Sequence, residues 1–184
     1  MIRIFDLIIS IFVLIISLPI TITIFLISTI FTKSSPFFWQ ERVGLYKKPF
    51  MLIKFRTMHP STKSVASHLV NSSSVNFYGK FLRKTKLDEI PQLWNVIKGE
   101  MSIVGPRPCL FNQEELIYER DKKRIFEYLP GITGLAQINK IDMSIPKILA
   151  STDYKMMKKL NFKNYIKYIF LTMIGKGFGD RTKL

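Results

Sequence analysis

Residues 7–32 read LIISIFVLIISLPITITIFLISTIFT and contain no charged side chain, because the run lies between Asp6 and Lys33. As one straight helix these residues would extend about 39 Å, which exceeds the roughly 30 Å hydrocarbon core of a bilayer. A cleaved secretory signal fits poorly, since the run is longer than a usual signal core and no small-x-small site precedes Lys33. The run therefore predicts insertion into a membrane.

Pro19 interrupts this run near its middle. A proline removes one backbone hydrogen bond and clashes with the preceding turn, so we expect a break there. Each half would be about 18 to 20 Å long as a helix, which is too short to cross a bilayer alone. Two geometries remain: a kinked helix that spans the membrane, and a helix–break–helix wedge that enters and leaves one leaflet. Basic residues flank both ends, which fits two cytoplasmic ends.

The rest of the chain, residues 33–184, carries the whole formal net charge of +15, because Arg3 and Asp6 cancel. Such a charge attracts anionic lipid headgroups, nucleotides or nucleic acid. A hydrophobic fraction of 47% excludes a disordered polyelectrolyte, and one cysteine excludes an intrachain disulfide framework. Two histidines leave little material for a His-built metal centre, and a single long apolar run excludes a multi-span transporter.

Three segments in the first half of this basic region have a recognisable pattern. Residues 36–58 predict a β-hairpin with strands at 39–43 and 50–55, and the Ser- and Asn-rich residues 59–76 predict a surface loop or a lid. Residues 88–99 predict a short helix, with Asp88 as N-cap and Gly99 as C-terminal stop.

Residues 153–174 predict one amphipathic helix, whose apolar stripe includes Met156, Ile166 and Phe170 and leaves five lysines off the stripe. This composition is typical of a helix that lies in a membrane interface, with lysines reaching toward phosphates. The alternative is a core helix with a solvated basic face.

Asp88 and Glu89 form the first candidate site, because the residues just before them, Arg83, Lys84 and Lys86, are basic. Two carboxylates among cations suit the joint binding of Mg²⁺ and a phosphate ester. The alternative interpretation is a helix cap with surface ion pairs.

Two further positions present cations in a defined geometry. Lys54 and Arg56 are two residues apart on a predicted strand, so both should project from one face as a phosphate clamp. Arg107 lies between Pro106 and Pro108, which limit its backbone and reduce the ordering cost of ligand binding. An exposed basic strand face and an ordinary turn are the alternatives.

The glycine-rich residues 130–137 follow neither the Walker nor the Rossmann pattern, although Gln137 and Asn139 could hydrogen-bond a base or a sugar. Cys109 is predicted to be an inert thiol. His59 and His68 show no metal-ligand spacing.

Taken in order, these blocks resemble the bacterial sugar transferases, which are small monotopic polyprenyl-phosphate phosphoglycosyltransferases. The resemblance covers nearly the whole chain and is most specific in the Leu-Asp-Glu and Gly-Pro-Arg-Pro blocks. The matching blocks are QERVG at 40–44, KFRTM at 54–58, LDEIPQLWN at 87–95, MSIVGPRP at 101–108 and PGITG at 130–134, together with Pro19 and Arg83.

The resemblance implies a mixed α and β fold that is mostly helical. Residues 1–32 would form a re-entrant membrane helix hairpin, which favours the wedge over the spanning helix. Residues 33–184 would form a small cytosolic α/β catalytic domain with interfacial amphipathic helices, located at the cytosolic face of the bacterial inner membrane.

The resemblance also implies transfer of a phosphosugar from a UDP-sugar to polyprenyl (undecaprenyl) phosphate, with release of UMP, as the first membrane step of glycan assembly. The implied route uses Mg²⁺ and a covalent aspartyl-phosphosugar intermediate. Expected partners are the UDP-sugar, the polyprenyl phosphate and anionic membrane lipids, with no nucleic acid; a homo-oligomer is left open. The implied roles are Asp88 as nucleophile, Glu89 as its partner, both as Mg²⁺ ligands, Lys54, Arg56, Arg83 and Arg107 in phosphate or nucleotide binding, and Pro19 as the hairpin break.

Two departures from the family pattern stand out. Leu18 precedes the membrane proline where serine is frequent, with Ser17 one position earlier, and Asn164 and Tyr165 occupy a place where an acidic residue is often seen. A membrane-anchored basic module for nucleic acid or anionic lipid would also explain the net charge, and a non-catalytic membrane scaffold is a third interpretation. The transferred sugar is not identified by the sequence.

Overall fold

The computed structural model describes residues 2–32, 34–58, 75 and 77–175. Within these residues the fold is mixed α and β and mostly helical, as predicted, with two small two-stranded sheets. The predicted loop at 59–76, with His59 and His68, lies almost entirely outside the described residues. The helices and strands are α1 (Ile2–Ile16), α2 (Leu18–Thr32), β1 (Phe37–Val43), β2 (Pro49–Phe55), α3 (Phe77–Thr85), α4 (Gln92–Lys98), β3 (Ser102–Val104), α5 (Glu114–Asp121), β4 (Gly131–Thr133), α6 (Leu135–Ile138), α7 (Pro146–Lys158) and α8 (Phe162–Met173).

The apolar run folds as two helices, α1 and α2, whose axes are bent by 64°. The break falls at Ser17, and Pro19 lies in the first turn of α2, where its missing N–H is least costly. No single helix among the described residues is long and apolar enough to cross a membrane, whereas this bent pair passes the same test when taken together. A bend next to the proline is what the sequence predicts, and the bent pair has the geometry of a broken span or a re-entrant loop.

The start of α1 is fastened to the rest of the fold by polar contacts. One carboxylate oxygen of Asp6, which is 1% exposed, accepts hydrogen bonds from Ser102 Oγ at 3.1 Å, Ile103 N at 2.9 Å and Tyr165 Oη at 2.8 Å. Burial, and then the adjacent Asp6 carboxylate, raise the pKa of Tyr165 well above its usual value. Arg3 donates to two backbone carbonyls at and just beyond the end of α4. The bent pair of α1 and α2 is therefore joined to β3, α4 and α8 through the start of α1.

β1 and β2 form the predicted antiparallel hairpin, with a register that runs from the Phe37–Phe55 pair to the Val43–Pro49 pair. The observed strands extend the predicted ones by two residues and one residue at their starts. Phe55 is 1% exposed because it packs in a small apolar cluster with residues of α2 and α3.

β3 and β4 pair in parallel and bring two sequence blocks, 101–108 and 130–134, into direct backbone contact. Gly105 N donates to Thr133 O at 2.9 Å, and Gly131 N donates to Pro106 O at 2.8 Å. A Cβ atom on Gly131 would overlap the backbone nitrogen of Gly105. Only glycine fits at this crossing, so the two glycines let the blocks join.

The main core lies between the hairpin of β1 and β2 and helices α4, α7 and α8. Asn95 of α4 is fully buried and ties this helix to β2, because its amide accepts from Ile53 N at 3.2 Å and donates to Met51 O at 2.7 Å. The buried members of this core are Phe50, Leu52, Val96, Met101, Ile103, Val104, Met156, Tyr165 and Tyr168.

The predicted helix at 88–99 differs from the structure at its start. A 3₁₀ turn covers Leu87–Glu89, and α4 begins only at Gln92 with Pro91 as its N-cap residue. Asp88 lies inside the 3₁₀ turn, so its prediction as an N-cap is wrong. The predicted stop is confirmed, because Gly99 caps α4 in the left-handed region at φ 88°.

The single helix predicted at 153–174 is also wrong, because α7 ends at Lys158 and α8 begins at Phe162. Asn161 causes the new start, since its side chain accepts from Asn164 N at 2.9 Å and caps α8. Met156 is fully buried in the core, whereas Ile166 and Phe170 on α8 are exposed. The predicted stripe therefore divides between a core face and an outward apolar face.

Candidate active site

Glu89 is the centre of a cluster of cations that separate parts of the chain supply. Arg107, in the loop after β3, donates through Nη2 to Glu89 Oε1 at 2.8 Å. Lys54, near the end of β2, places Nζ 3.8 Å from the same oxygen. The Glu89 and Lys54 side chains are 8% and 9% exposed, and that of Arg107 is 19% exposed. Three of the predicted site residues are thus brought together.

Lys86 adds a third cation, three residues before Glu89 and in a left-handed conformation at φ 59°. Burial lowers the pKa of Lys86; Arg107 lowers it further, and Glu89 opposes both. Three cations around one carboxylate leave an excess of positive charge, even when the neighbouring Asp88 is counted as ionised. An anionic ligand such as a phosphate would relieve this repulsion.

The cluster borders an open pocket of ≈ 180 Å³. Cationic, acidic, hydroxyl and amide groups share its wall with three aliphatic side chains. The lining residues are Lys86, Glu89, Ile90, Leu93, Arg107, Ile132, Thr133, Gln137 and Thr172. A pocket with this wall can hold a ligand that combines a charged phosphate with a polar ring.

Asp88 precedes Glu89 in the same 3₁₀ turn and is 5% exposed, but it does not itself line the pocket. Within the described residues, no group of three or more His, Cys, Asp or Glu side chains could hold a metal ion.

Two predicted residues lie apart from the cluster. Arg56 follows the last residue of β2 and donates through Nε to Ser35 O at 2.9 Å and through Nη2 to Phe37 O at 3.2 Å. The Arg56 guanidinium also lies 5.6 Å from the ring of Phe38, the cross-strand partner of Lys54, and a joint role of Lys54 and Arg56 in phosphate or nucleotide binding stays a prediction. Arg83 Nε donates to Thr57 Oγ1 at 2.9 Å, while its Nη1 is buried without a hydrogen-bond partner among the described residues.

These placements complete the geometry of the site, and comparison with known proteins adds the family. A family model described as bacterial sugar transferase matches residues 1–177. The chain belongs to the bacterial sugar transferase family.

Relatives of this sugar transferase have informative names. The sugar transferase EpsL of Bacillus subtilis is 44% identical over 139 residues, which are 74% of this chain and 67% of that protein. The UDP-glucose:undecaprenyl-phosphate glucose-1-phosphate transferase of Klebsiella pneumoniae is 36% identical over 190 residues, covering 98% of this chain and 40% of that protein. The undecaprenyl-phosphate galactose phosphotransferase of Salmonella typhimurium is 36% identical over 155 residues, covering 74% of this chain and 32% of that protein. The chain spans less than half of the latter two relatives.

A buried ion pair behind Arg107 was missed by sequence reasoning. In this sugar transferase, Arg120 of α5 donates through Nε and Nη2 to Asp153 Oδ2 of α7 at 3.0 and 2.7 Å, with side-chain exposures of 2% and 0%. Its Nη1 donates to the backbone carbonyl of Arg107 at 2.8 Å. Burial raises the pKa of Asp153, and Arg120 counteracts part of this effect. The pair fixes the loop that carries Arg107.

Other site residues of the sugar transferase had a weaker signal. Lys86 was visible as one of several basic residues before Asp88, but nothing singled it out. Thr133 and Thr172 line the pocket and hydrogen-bond each other through their hydroxyls at 2.5 Å, although 39 residues separate them. Such a long-range pair has no local sequence pattern.

Proposed function

We propose that this chain transfers a sugar phosphate from a UDP-sugar to undecaprenyl phosphate and releases UMP, as the first membrane step of glycan assembly. Membership of the family and the reactions for which the Klebsiella and Salmonella relatives are named support the reaction. The observation that carries the proposal is the buried Glu89 with Lys54, Lys86 and Arg107 around it, beside a pocket and next to Asp88.

Donor binding would rely on the three cations of the cluster. A diphosphate brings negative charge to a place where Lys54, Lys86 and Arg107 lie around Glu89. Arg107 suits this task because its guanidinium can make two parallel hydrogen bonds to one phosphate. Neutralising the phosphates also lowers the repulsion that an anionic nucleophile meets at phosphorus.

The chemical step would begin at Asp88. One carboxylate oxygen attacks the phosphorus that carries the sugar, the bond from that phosphorus to the bridging oxygen breaks, and UMP leaves with the electron pair. The product is an acyl phosphate, which keeps enough activation to react again. An oxygen of the lipid phosphate then attacks the same phosphorus, and Asp88 leaves as a carboxylate. One pocket can serve a soluble donor and a lipid-bound acceptor in turn.

The acidic pair is compatible with Mg²⁺. This ion is commonly held by one or two carboxylates together with substrate phosphates and water, rather than by a cage of protein ligands. Asp88 and Glu89 are adjacent and both buried, and a site of three or more acidic or His/Cys ligands is absent from the described part of the chain. Asp88 and Glu89 would hold the ion, which would supply further charge neutralisation at the phosphates.

The bent pair of α1 and α2 would place this site at the cytosolic face of the inner membrane. Large apolar side chains on both helices face outward, among them Phe12 at 62%, Ile15 at 67% and Ile30 at 72% exposed. A continuous apolar surface of this kind is typical of contact with lipid. A re-entrant hairpin, together with the exposed apolar face and lysines of α8, would hold the pocket near the headgroups where the acceptor phosphate lies.

Activity with a donor panel tests the reaction. Purified protein in lipid nanodiscs is incubated with Mg²⁺, undecaprenyl phosphate and a series of UDP-sugars, and UMP is measured. We expect UMP with at least one donor and only when the acceptor is present in multiple-turnover conditions. No UMP with any donor would contradict the proposal, and it would favour a binding module or a scaffold.

The role of Asp88 is tested with Asp88→Asn, because an amide is a poor nucleophile. The matched control is Asp121→Asn, since Asp121 is an aspartate with a 53% exposed side chain on α5. We expect Asp88→Asn to lose UMP release and the phosphosugar adduct seen by mass spectrometry, and the control to keep both. Normal UMP release by Asp88→Asn would show that the nucleophile is another group.

A further inference from the structure

The side-chain amide of Gln137, in the pocket wall, lacks hydrogen-bond partners among the described residues. Both of its side-chain polar atoms, Oε1 and Nε2, are buried and have no hydrogen-bond partner among the described residues. A buried polar group without a partner costs free energy, and most such groups in native proteins are satisfied. Two unsatisfied atoms on one side chain that lines a pocket indicate that the amide is completed by a ligand.

The backbone around Gln137 explains why the amide is held there. Gln137 belongs to the short helix α6, which follows Gly134. A Cβ atom on Gly134 would lie 3.0 Å from Gln137 Oε1, so the amide rests against the bare Cα of this glycine. The hydroxyls of Thr133 and Thr172 line the same pocket but already bind each other. Gln137 therefore has both a donor and an acceptor available to a ligand in the pocket.

Size and wall chemistry indicate the ligand group. A volume of ≈ 180 Å³ is close to that of cavities that hold one six-membered ring. The lining residues described include no aromatic ring on which a nucleobase could stack. A primary amide offers a donor and an acceptor side by side, and neighbouring hydroxyls of a hexose offer the complementary pair.

We propose that Gln137 is a specificity-determining residue that hydrogen-bonds two hydroxyl groups of the sugar in the UDP-sugar donor. The inference rests on the proposed function, in which the phosphate next to the sugar lies at Arg107 and Lys86. The sugar is bonded directly to that phosphate. Of the rings of the donor, the sugar is therefore the one that reaches Gln137 in the same pocket. The uracil is farther away, beyond a second phosphate and a ribose.

The test compares binding of UDP and of the UDP-sugar that serves as donor, in protein held in nanodiscs. The variant is Gln137→Leu, which removes both hydrogen bonds at similar size, and the matched control is Asn112→Leu, an exposed amide in the turn before α5. We expect Gln137→Leu to weaken UDP-sugar binding roughly tenfold or more, since two hydrogen bonds are lost. UDP binding should be unchanged, and the control should leave both affinities unchanged.

Thermal melting separates recognition from folding. Leucine removes an unsatisfied buried amide, so Gln137→Leu should melt at the same temperature as wild type or higher. An equal loss of UDP and UDP-sugar affinity would overturn the proposal in favour of a nucleotide contact, and unchanged affinities would overturn it outright. A wild-type protein that binds neither ligand would instead contradict the proposed function.

Discussion

Replacing Arg120 with methionine tests whether the buried pair with Asp153 holds the Arg107 loop. Methionine has a similar length and no charge, so the variant leaves Asp153 fully buried without its cation and leaves the Arg107 carbonyl without its donor. Removing one partner of a buried ion pair costs about 3–5 kcal/mol. That is a large part of the roughly 5–15 kcal/mol by which a typical domain is stable.

Thermal melting followed by circular dichroism measures this cost. For a chain of this size, 1 kcal/mol corresponds to about 2–4 °C, so Arg120→Met should lower the melting temperature by roughly 6–20 °C. The matched control is Arg124→Met, because the ion pair of Arg124 with Glu127 is solvent-exposed, at 78% and 43%, and such pairs contribute about 0–1 kcal/mol.

A double variant identifies the cause. Arg120→Met combined with Asp153→Leu removes both charges, and apolar replacement of a buried ion pair is often neutral or stabilising. The double variant should therefore recover most of the lost stability. If Arg120→Met melts within about 2 °C of the Arg124→Met control, the buried pair does not have the energetic role argued from its burial.

Three further predictions concern other buried contacts. Gly131→Ala should prevent folding or lower the melting temperature strongly, because its Cβ would overlap the backbone of Gly105; a wild-type melting curve would contradict this. Burial raises the pKa of the Cys109 thiol, and the residue is fully buried, so iodoacetamide at pH 8 should label it only in denaturant; rapid labelling of the folded protein would refute this. Asp6→Leu should destabilise the fold by about 2 kcal/mol or more, because three buried donors lose their acceptor. Tyr165→Phe removes only one of these hydrogen bonds and should cost about 1 kcal/mol. Equal shifts in melting temperature for the two variants would show that Asp6 does not accept all three hydrogen bonds.

Local patterns predicted the parts of the fold that depend on local physics. The β-hairpin follows from strand-forming runs on either side of a turn, and both strands were predicted within two residues. The bend of the apolar run follows from Pro19, whose effect on a helix is local. The left-handed stop at Gly99 was likewise predictable, because glycine tolerates positive φ.

Errors arose where a neighbour in space decides the conformation. Residues 153–174 have the period of one helix, but Asn161 caps a second helix within them. Asp88 was predicted as the N-cap of a helix at 88–99, but a 3₁₀ turn at Leu87–Glu89 precedes α4.

The candidate site was predicted in part. Glu89, Arg107 and Lys54 lie in sequence blocks that match the family, and their side chains meet in the structure. The supporting Arg120–Asp153 pair spans 33 residues, and the Asp6–Tyr165 contact spans 159 residues. Contacts at such separations depend on the packing of whole elements, which a single sequence does not specify locally.

The clamping of α1 has a mechanical consequence for the site. α1 has 15 residues and is thus a stiff rod about 22 Å long, with Arg3 and Asp6 gripped by the folded domain and its far end leading into the bend at Ser17. A tilt of about 10° at Asp6 would displace the far end of α1, about 15 Å away, by about 3 Å. If the bent pair of α1 and α2 lies in a bilayer as proposed, the acyl-chain length of that bilayer sets the distance of the pocket from the membrane surface. The rate of transfer to the lipid acceptor should then depend on acyl-chain length.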